Sequence, residues 1–218
     1  MKTIVLKINK KNPDAGKIKK AADILSKGGV IAFPTDTVYG LAAGAFNLKA
    51  QKKIYNLKGR NYRKPLVIMS DTPGSLKHIV EINPDAAKLM KDFFPGPLTV
   101  VLPTTHLGKI AMGGRKDAGV RVPQDNIVSM LIKTLGSPIA TTSANISGKP
   151  SAKTGAEALK YFKDKVGLLL DCGQAKLGKE STVVDMQKFP YTIVRKGFIP
   201  DKKLIECLEK TKVKRSRK

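Results

Sequence analysis

The sequence predicts an α/β or α+β protein built on a mixed sheet. Short apolar runs and amphipathic stretches alternate along all 218 residues, the pattern of strands interleaved with helices. Gly and Pro punctuate the junctions, as at Gly28-Gly29 and Pro95-Gly96-Pro97. Several strand runs stand too close together for the long crossovers that parallel pairing needs. A fully parallel, doubly wound sheet is therefore the poorer fit.

The elements follow in order. Residues 3–8 alternate and read as a strand. Residues 14–27 place Ile18, Ala21, Ala22 and Leu25 at helical spacing, and Gly28-Gly29 ends that helix. Residues 30–33 form a buried strand that runs into Pro34-Thr35-Asp36-Thr37. Residues 48–57 read as a helix with Ile54 and Leu57 inward, and 66–69 as a short apolar strand. A helix over 84–94 stops at Pro95-Gly96-Pro97. Strands follow at 98–102 and 119–122. Residues 125–135 read as a helix with Asp125 as its N-cap. Residues 139–142 form a strand leading into a polar loop. Residues 157–162 are helical, 167–170, 182–185 and 192–195 are strands, and 202–210 is a terminal helix. No internal repeat is visible. The organisation expected is one domain over 1–210 and a basic, disordered tail over 211–218.

Composition narrows the class. Hydrophobic residues make up 41% of the chain and Trp is absent. The core is then built mainly from Val, Ile, Leu and Ala, and wholesale disorder is excluded. The formal net charge of +24 attracts polyanions such as nucleotides, RNA or an acidic membrane face. A lysine-rich surface kept for solubility gives the same number. Cys172 and Cys207 have no CxxC partner, and His78 and His106 form no cluster, which argues against a zinc site or a disulfide framework. Residues 1–20 are polar and basic, without the apolar stretch of a secretory signal. No run approaches the roughly 20 apolar residues of a membrane span. A cytoplasmic protein with no membrane partner is expected.

Four segments place polar groups beside apolar strands, where α/β proteins hold ligands. In Pro34-Thr35-Asp36-Thr37-Val38-Tyr39-Gly40-Leu41, hydroxyls and a carboxylate crowd one turn; they suit a small polar substrate or simply cap the turn. Lys58-Gly59-Arg60 and Arg63-Lys64-Pro65 gather cations that fit a triphosphate, although a helix C-terminus alone favours Lys58. Thr141-Thr142-Ser143-Ala144-Asn145-Ile146-Ser147-Gly148-Lys149-Pro150-Ser151 is dense in donors that can cradle phosphate, yet is neither GxxxxGK[ST] nor GxGxxG. The fourth is distributed over Gly119-Val120-Arg121-Val122-Pro123, Ser181-Thr182 and Ile193-Val194-Arg195. Arg121 interrupts a valine strand, so it needs a partner: a substrate carboxylate, or an internal one such as Asp36 or Asp185.

Together these segments, with Phe94-Pro95-Gly96-Pro97-Leu98-Thr99, resemble the YrdC-like threonylcarbamoyl-AMP synthase family in its short, single-domain form. Each motif alone is weak; six in family order over about 18–200 are specific. The resemblance implies a twisted, open mixed sheet flanked by helices around a large, basic concave cleft. It implies formation of threonylcarbamoyl-AMP and pyrophosphate from L-threonine, bicarbonate and ATP, with Mg²⁺ carried by the ATP. A tRNA or a tRNA-modifying transferase is the downstream partner. By resemblance Lys58, Arg60, Ser143 and Asn145 are catalytic, and Lys58, Arg60, Lys64, Ser143, Asn145, Ser151 and Arg195 contact ATP. Thr37, Arg121, Thr141 and Ser181 hold threonine. Three departures stand out: Asn61 where Pro is frequent, Met69 where some members have His, and Asp117 where some have a Thr that contacts ATP. Asp117 is left out of the site, because a carboxylate repels phosphate. Every reactant in the implied step is anionic, so cations and oriented donors can supply most of the catalysis; the site is expected to be poor in acids, and no general base is legible. Two other readings fit parts of the sequence: a non-catalytic RNA-binding module, and a relative that forms carbamoyl-adenylate without threonine.

Overall fold

A computed structural model describes the backbone of residues 2–215 and side chains through residue 209. In chain order the elements are β1 (Ile4–Lys7), α1 (Ala15–Ser26), β2 (Ile31–Phe33), β3 (Gly40–Gly44), α2 (Leu48–Lys58), β4 (Val67–Met69), α3 (Pro73–Leu76), α4 (Pro84–Phe93), β5 (Leu98–Pro103), α5 (His106–Ala111), β6 (Asp117–Arg121), α6 (Asn126–Leu135), β7 (Ile139–Ser143), α7 (Gly155–Phe162), β8 (Leu168–Asp171), β9 (Thr182–Asp185), β10 (Thr192–Arg195) and α8 (Asp201–Arg215).

The helices begin where a side chain satisfies free backbone donors. Asp14 accepts from Lys17 N, Asn47 from Ala50 N, Asn83 from Ala86 N and Thr154 from Glu157 N. Asp125 accepts from both Ile127 N and Val128 N, as its N-cap reading requires. Helix α2 ends on Gly59 in the left-handed conformation at φ 58°, a geometry that favours glycine.

All strands join one sheet in the order β1-β8-β2-β3-β7-β4-β6-β5-β9-β10. β1/β8, β2/β8, β4/β6 and β5/β9 are parallel. β2/β3, β3/β7, β4/β7, β5/β6 and β9/β10 are antiparallel. The mixed sheet expected from the sequence is the one observed. Strand β3 was not expected: its Gly-Leu-Ala-Ala-Gly composition has little strand propensity. It forms because β2 and β7 pair with both of its edges. Helices α3 and α5 also escape the sequence pattern, being too short to show a period.

The sheet has two unequally covered faces. Ala32, Leu41, Ile68, Val100, Val120 and Ala140 face one core with Ile54 of α2, Leu89 of α4, Phe162 of α7 and Leu204 of α8. On the other face Ile31, Phe33, Ala42, Met69, Ile139, Leu168 and Leu170 pack under Ile18 and Leu25 of α1 and Leu131 of α6. α1 and α6 cover only part of that face. Helix α8 runs through residues 211–215, so the segment read as a disordered tail begins as helix; residues 216–218 lie outside the described residues. Among the described residues no helix is long and apolar enough to cross a membrane.

Candidate active site: a cleft on the uncovered part of the sheet

Strand register builds the floor of the site. Arg121 stands opposite Met69 on β4, and Val100 pairs with Val120, which sets Thr99 beside Arg121; Thr141 stands opposite Val67. Alternate residues point to one face, so Thr141 and Ser143, Val67 and Met69, Arg121, and Thr99 share the face that α1 and α6 leave open. The β2–β3 turn, Arg60 and Pro65 beyond α2, Glu180 and Ser181 before β9, and Arg195 on β10 wall it in. The result is an open cleft of about 590 Å³.

Arg121 is tied down on three sides. Nε donates to Gly96 O at 3.1 Å, NH1 to Thr37 Oγ1 at 3.1 Å, and NH2 pairs with Asp36 Oδ1. Both side chains are almost fully buried, at 4% and 2% exposure. Of the two readings left open for Arg121, the internal partner is thus present. A guanidinium has five N–H donors, and these three bonds leave two. Asp36 Oδ2 is buried without a hydrogen-bond partner among the described residues. Thr37 also shares a 2.9 Å hydroxyl contact with Thr35, and Thr141 Oγ1 donates to Val67 O. Ser181 Oγ lies 2.9 Å from Thr99 Oγ1.

A second cluster faces this one. Arg195 donates from Nε and NH2 to Ser181 O at 3.1 and 2.9 Å, and its NH1 pairs with Glu180 Oε2 at 2.6 Å. Ser151 Oγ donates to Glu180 Oε1 at 2.5 Å. Arg60 reaches back along its own loop, to Lys64 O and Pro65 O. Burial lowers the pKa of Arg60 and of Arg195, and Glu180 opposes the shift in both. The backbone at Gly197 presses on Ser181 and Thr182: a Cβ there would meet Ser181 C and Thr182 N at 2.3 Å. This close approach needs a residue without a side chain.

Lys58 is at the root of the loop after β7, not in the cleft. It is 1% exposed. Its Nζ donates to Ser143 O, to Asn145 O at 2.7 Å and to Asn145 Oδ1 at 3.0 Å. Burial, reinforced by Arg60, pushes its pKa down to about 7 against the pull of Glu180. Asn145 is used up likewise: Oδ1 also accepts from Ser143 Oγ, while Nδ2 donates to Ile146 O and Lys149 O.

The structure therefore brings Thr37, Arg60, Arg121, Thr141, Ser143, Ser181 and Arg195 into one lining. It sets Lys58, Asn145 and Ser151 just behind that lining, as the groups that hold it. Lys64 lends its backbone carbonyl to Arg60 and Tyr55, and its side chain is outside the lining. Asp117 pairs with Arg115 at 3.1 Å, away from the cleft. Sequence reasoning missed Glu180, and with it the presence of a carboxylate in a site expected to be poor in acids. Its position directly before Ser181-Thr182 was the available signal. Thr35, Tyr39 and Thr99 also line the cleft. Among the described residues no group of three or more His, Cys, Asp and Glu is placed to hold a metal ion.

Known proteins are similar to this chain in sequence and in fold. The threonylcarbamoyl-AMP synthase of Pyrococcus abyssi is 38% identical over 200 residues, 91% of this chain and 58% of that protein. A putative threonylcarbamoyl-AMP synthase of Methanocaldococcus jannaschii is 35% identical over 95% of this chain and 99% of its own length. The crystal structure of Pyrococcus abyssi Sua5 complexed with L-threonine superimposes with a TM-score of 0.89 at 36% identity, over 94% of this chain and 61% of that one. The chain thus spans somewhat over half the length of the Pyrococcus protein and nearly all of the Methanocaldococcus one. The Sua5/YciO/YrdC family model, described as telomere recombination, matches residues 23–197, from inside α1 to Gly197 where it packs on Ser181. That span holds every side chain of the cleft, and the chain belongs to the Sua5/YciO/YrdC family.

Proposed function

We propose that this chain is an L-threonylcarbamoyladenylate synthase, a nucleotidyltransferase that uses L-threonine, bicarbonate and Mg·ATP. The observation that carries it is the meeting of two half-sites in one cleft. Thr37, Arg121, Thr141 and Ser181 form a hydroxyl-rich end with a fixed guanidinium. Arg60, Ser143 and Arg195 form a cationic end, backed by Ser151. A relative with the same fold was crystallised with L-threonine.

The two free N–H groups of Arg121 suit a carboxylate. Because Asp36 already neutralises Arg121, recognition there comes from the planar fork and its fixed angle rather than from net charge. Hydroxyls of Thr37, Thr141 and Ser181 suit the small polar side chain and amine of threonine. At the other end Arg60 and Arg195 offset phosphate charge. Threonine carbamate and the α-phosphate are both anions, so the step needs alignment and charge compensation more than acid–base chemistry. Lys58 and Asn145 act through the loop: Lys58 holds Ser143 O and Asn145 Oδ1 accepts the Ser143 hydroxyl, which fixes the Ser143 side chain at the nucleotide end of the cleft. Mg²⁺ belongs to the Mg·ATP substrate, with phosphate and water as its main ligands. The product, a mixed anhydride, is an activated donor for a later transfer to tRNA.

Mass spectrometry of a reaction holding ATP, threonine and ¹³C-bicarbonate tests the reading. The expected product is threonylcarbamoyl-AMP carrying one label, with pyrophosphate release that requires threonine. Pyrophosphate release independent of threonine would refute it.

A further inference from the structure

Among the described residues Glu180 supplies the one carboxylate in the cleft lining. Its two oxygens are taken by Ser151 Oγ at 2.5 Å and Arg195 NH1 at 2.6 Å. Both partners belong to the end of the cleft assigned above to the nucleotide. Glu180 also acts on the other cations there. It favours the charged forms of Lys58, Arg60 and Arg195, each of which burial disfavours. A hydroxyl donor, a guanidinium arm and two further cations around one anionic group is the environment a phosphate takes.

We infer that Glu180 is a built-in counter-anion: it takes the phosphate position in the cleft, holds Ser151 and Arg195 toward it, and gives way to the triphosphate. The inference rests on the synthase reading and adds an exchange step to it.

Three features make the exchange feasible. First, the cations need an anion at all times. Arg60 lowers the pKa of Lys58, Arg195 that of Arg60, and Arg121 that of Arg195; without Glu180 these cations would repel across the cleft. Second, the side chain of Glu180 is 32% exposed, so it can turn into water with little desolvation to overcome. Third, its backbone stays fixed during the swing, because Glu180 O accepts from Phe198 N at 2.9 Å and the next residue is held by Arg195. Glu180 and a phosphate cannot share Arg195 and Ser151, since two anions at that distance repel. The exchange lowers affinity for the nucleotide. It also gives pyrophosphate a competitor that returns to the same partners and speeds its departure.

Titration calorimetry of inorganic pyrophosphate, ATP and adenosine into wild type and Glu180→Gln decides the matter. Gln keeps the shape and an acceptor for Ser151 but carries no charge. The inference expects pyrophosphate and metal-free ATP to bind about fivefold tighter to Glu180→Gln, the size of a partly exposed charge effect. Adenosine, which has no phosphate, should show no difference. Equal or weaker pyrophosphate binding by the variant overturns the inference. So does a loss confined to Mg·ATP, which would make Glu180 a metal ligand, and so does an equal gain for adenosine, which would mean a wider cleft. Glu180→Ala repeats the comparison; failure of both variants to fold would make Glu180 a scaffold residue and overturn it too. Wild type that binds neither ATP nor pyrophosphate would instead sink the synthase reading.

Discussion

Replacing Arg121 by Met separates what its guanidinium does for the fold from what it does for a ligand. In wild type it serves Gly96 O, Thr37 Oγ1 and Asp36 from a site only 4% exposed. Met fills similar volume with no donor. Asp36 then keeps a charge at 2% exposure with neither oxygen paired, because Oδ2 already lacks a partner. Breaking a buried pair by removing one member costs about 3–5 kcal/mol. Set against a typical stability of roughly 5–15 kcal/mol, that is a large fraction, and for a chain of this size it lowers the melting temperature by about 6–20 °C. Arg121→Met with Asp36→Asn removes the stranded charge and should recover about half of the loss. Urea unfolding followed by circular dichroism measures both variants, with calorimetric titration of threonine alongside. Threonine binding should be lost in the single variant and stay lost in the double one, although the double one is more stable. A single variant that loses less than about 1 kcal/mol would show that the pair does not support the fold. A double variant that binds threonine normally would remove Arg121 from the threonine site.

Two predictions concern buried titrating groups. Burial raises the pKa of Asp125 from 3.8 to about 6, with Asp36 adding to the shift and the N–H groups of Val128 and Ile127 opposing it. Stability from a raised carboxyl pKa is fully present below the unfolded value of 3.8 and is lost as pH rises through about 6. Asp125→Asn keeps an N-cap acceptor and should stabilise the protein by about 2 kcal/mol near pH 7.5 but not near pH 4; equal or lower stability near pH 7.5 would contradict this. For Lys58, lowered from 10.5 to about 7, the unfolded chain holds the extra proton between those values, so this group makes folding more favourable as pH rises through that window. Its neutral amine has only two N–H groups for three loop oxygens, so ATP affinity without threonine should fall over the same range. Affinity and stability that fall together would point to general unfolding and not to Lys58.

How far the sequence reveals the site depends on whether a residue's task is local. Helix starts were legible because Asp14 and Asp125 cap their own helices. The strands around Arg121 were legible because valines flank it. Strand β3 was not, since its stability lies in its two neighbours and not in Gly and Ala. The inward turn of Lys58 was hidden for the same reason: the oxygens that draw it in come from Ser143 and Asn145, far along the chain. A basic run read as an outward phosphate clamp is therefore split, with Arg60 at the cleft and Lys58 beneath it. Asp36 could be proposed as a partner for Arg121 by charge alone, but only the register of β6 beside β4 and β5 brings it within reach.

The strand order also fixes when, during synthesis, a cleft can exist. β8 inserts between β1 and β2, and β9 and β10 extend the far end of the sheet, so both halves of the molecule wait for the last third of the chain. Thr37 and Arg60 emerge from the ribosome early, whereas Ser181 and Arg195 emerge near the end. A nascent chain that stops before β8 can hold α1, α2 and the first hairpin but leaves one edge of β2 unpaired. Such delayed, long-range pairing makes folding slow and leaves open strand edges meanwhile. On the synthase reading, ligand-dependent rescue of folding would need a chain that has reached Arg195, because one that stops earlier lacks part of the cleft lining.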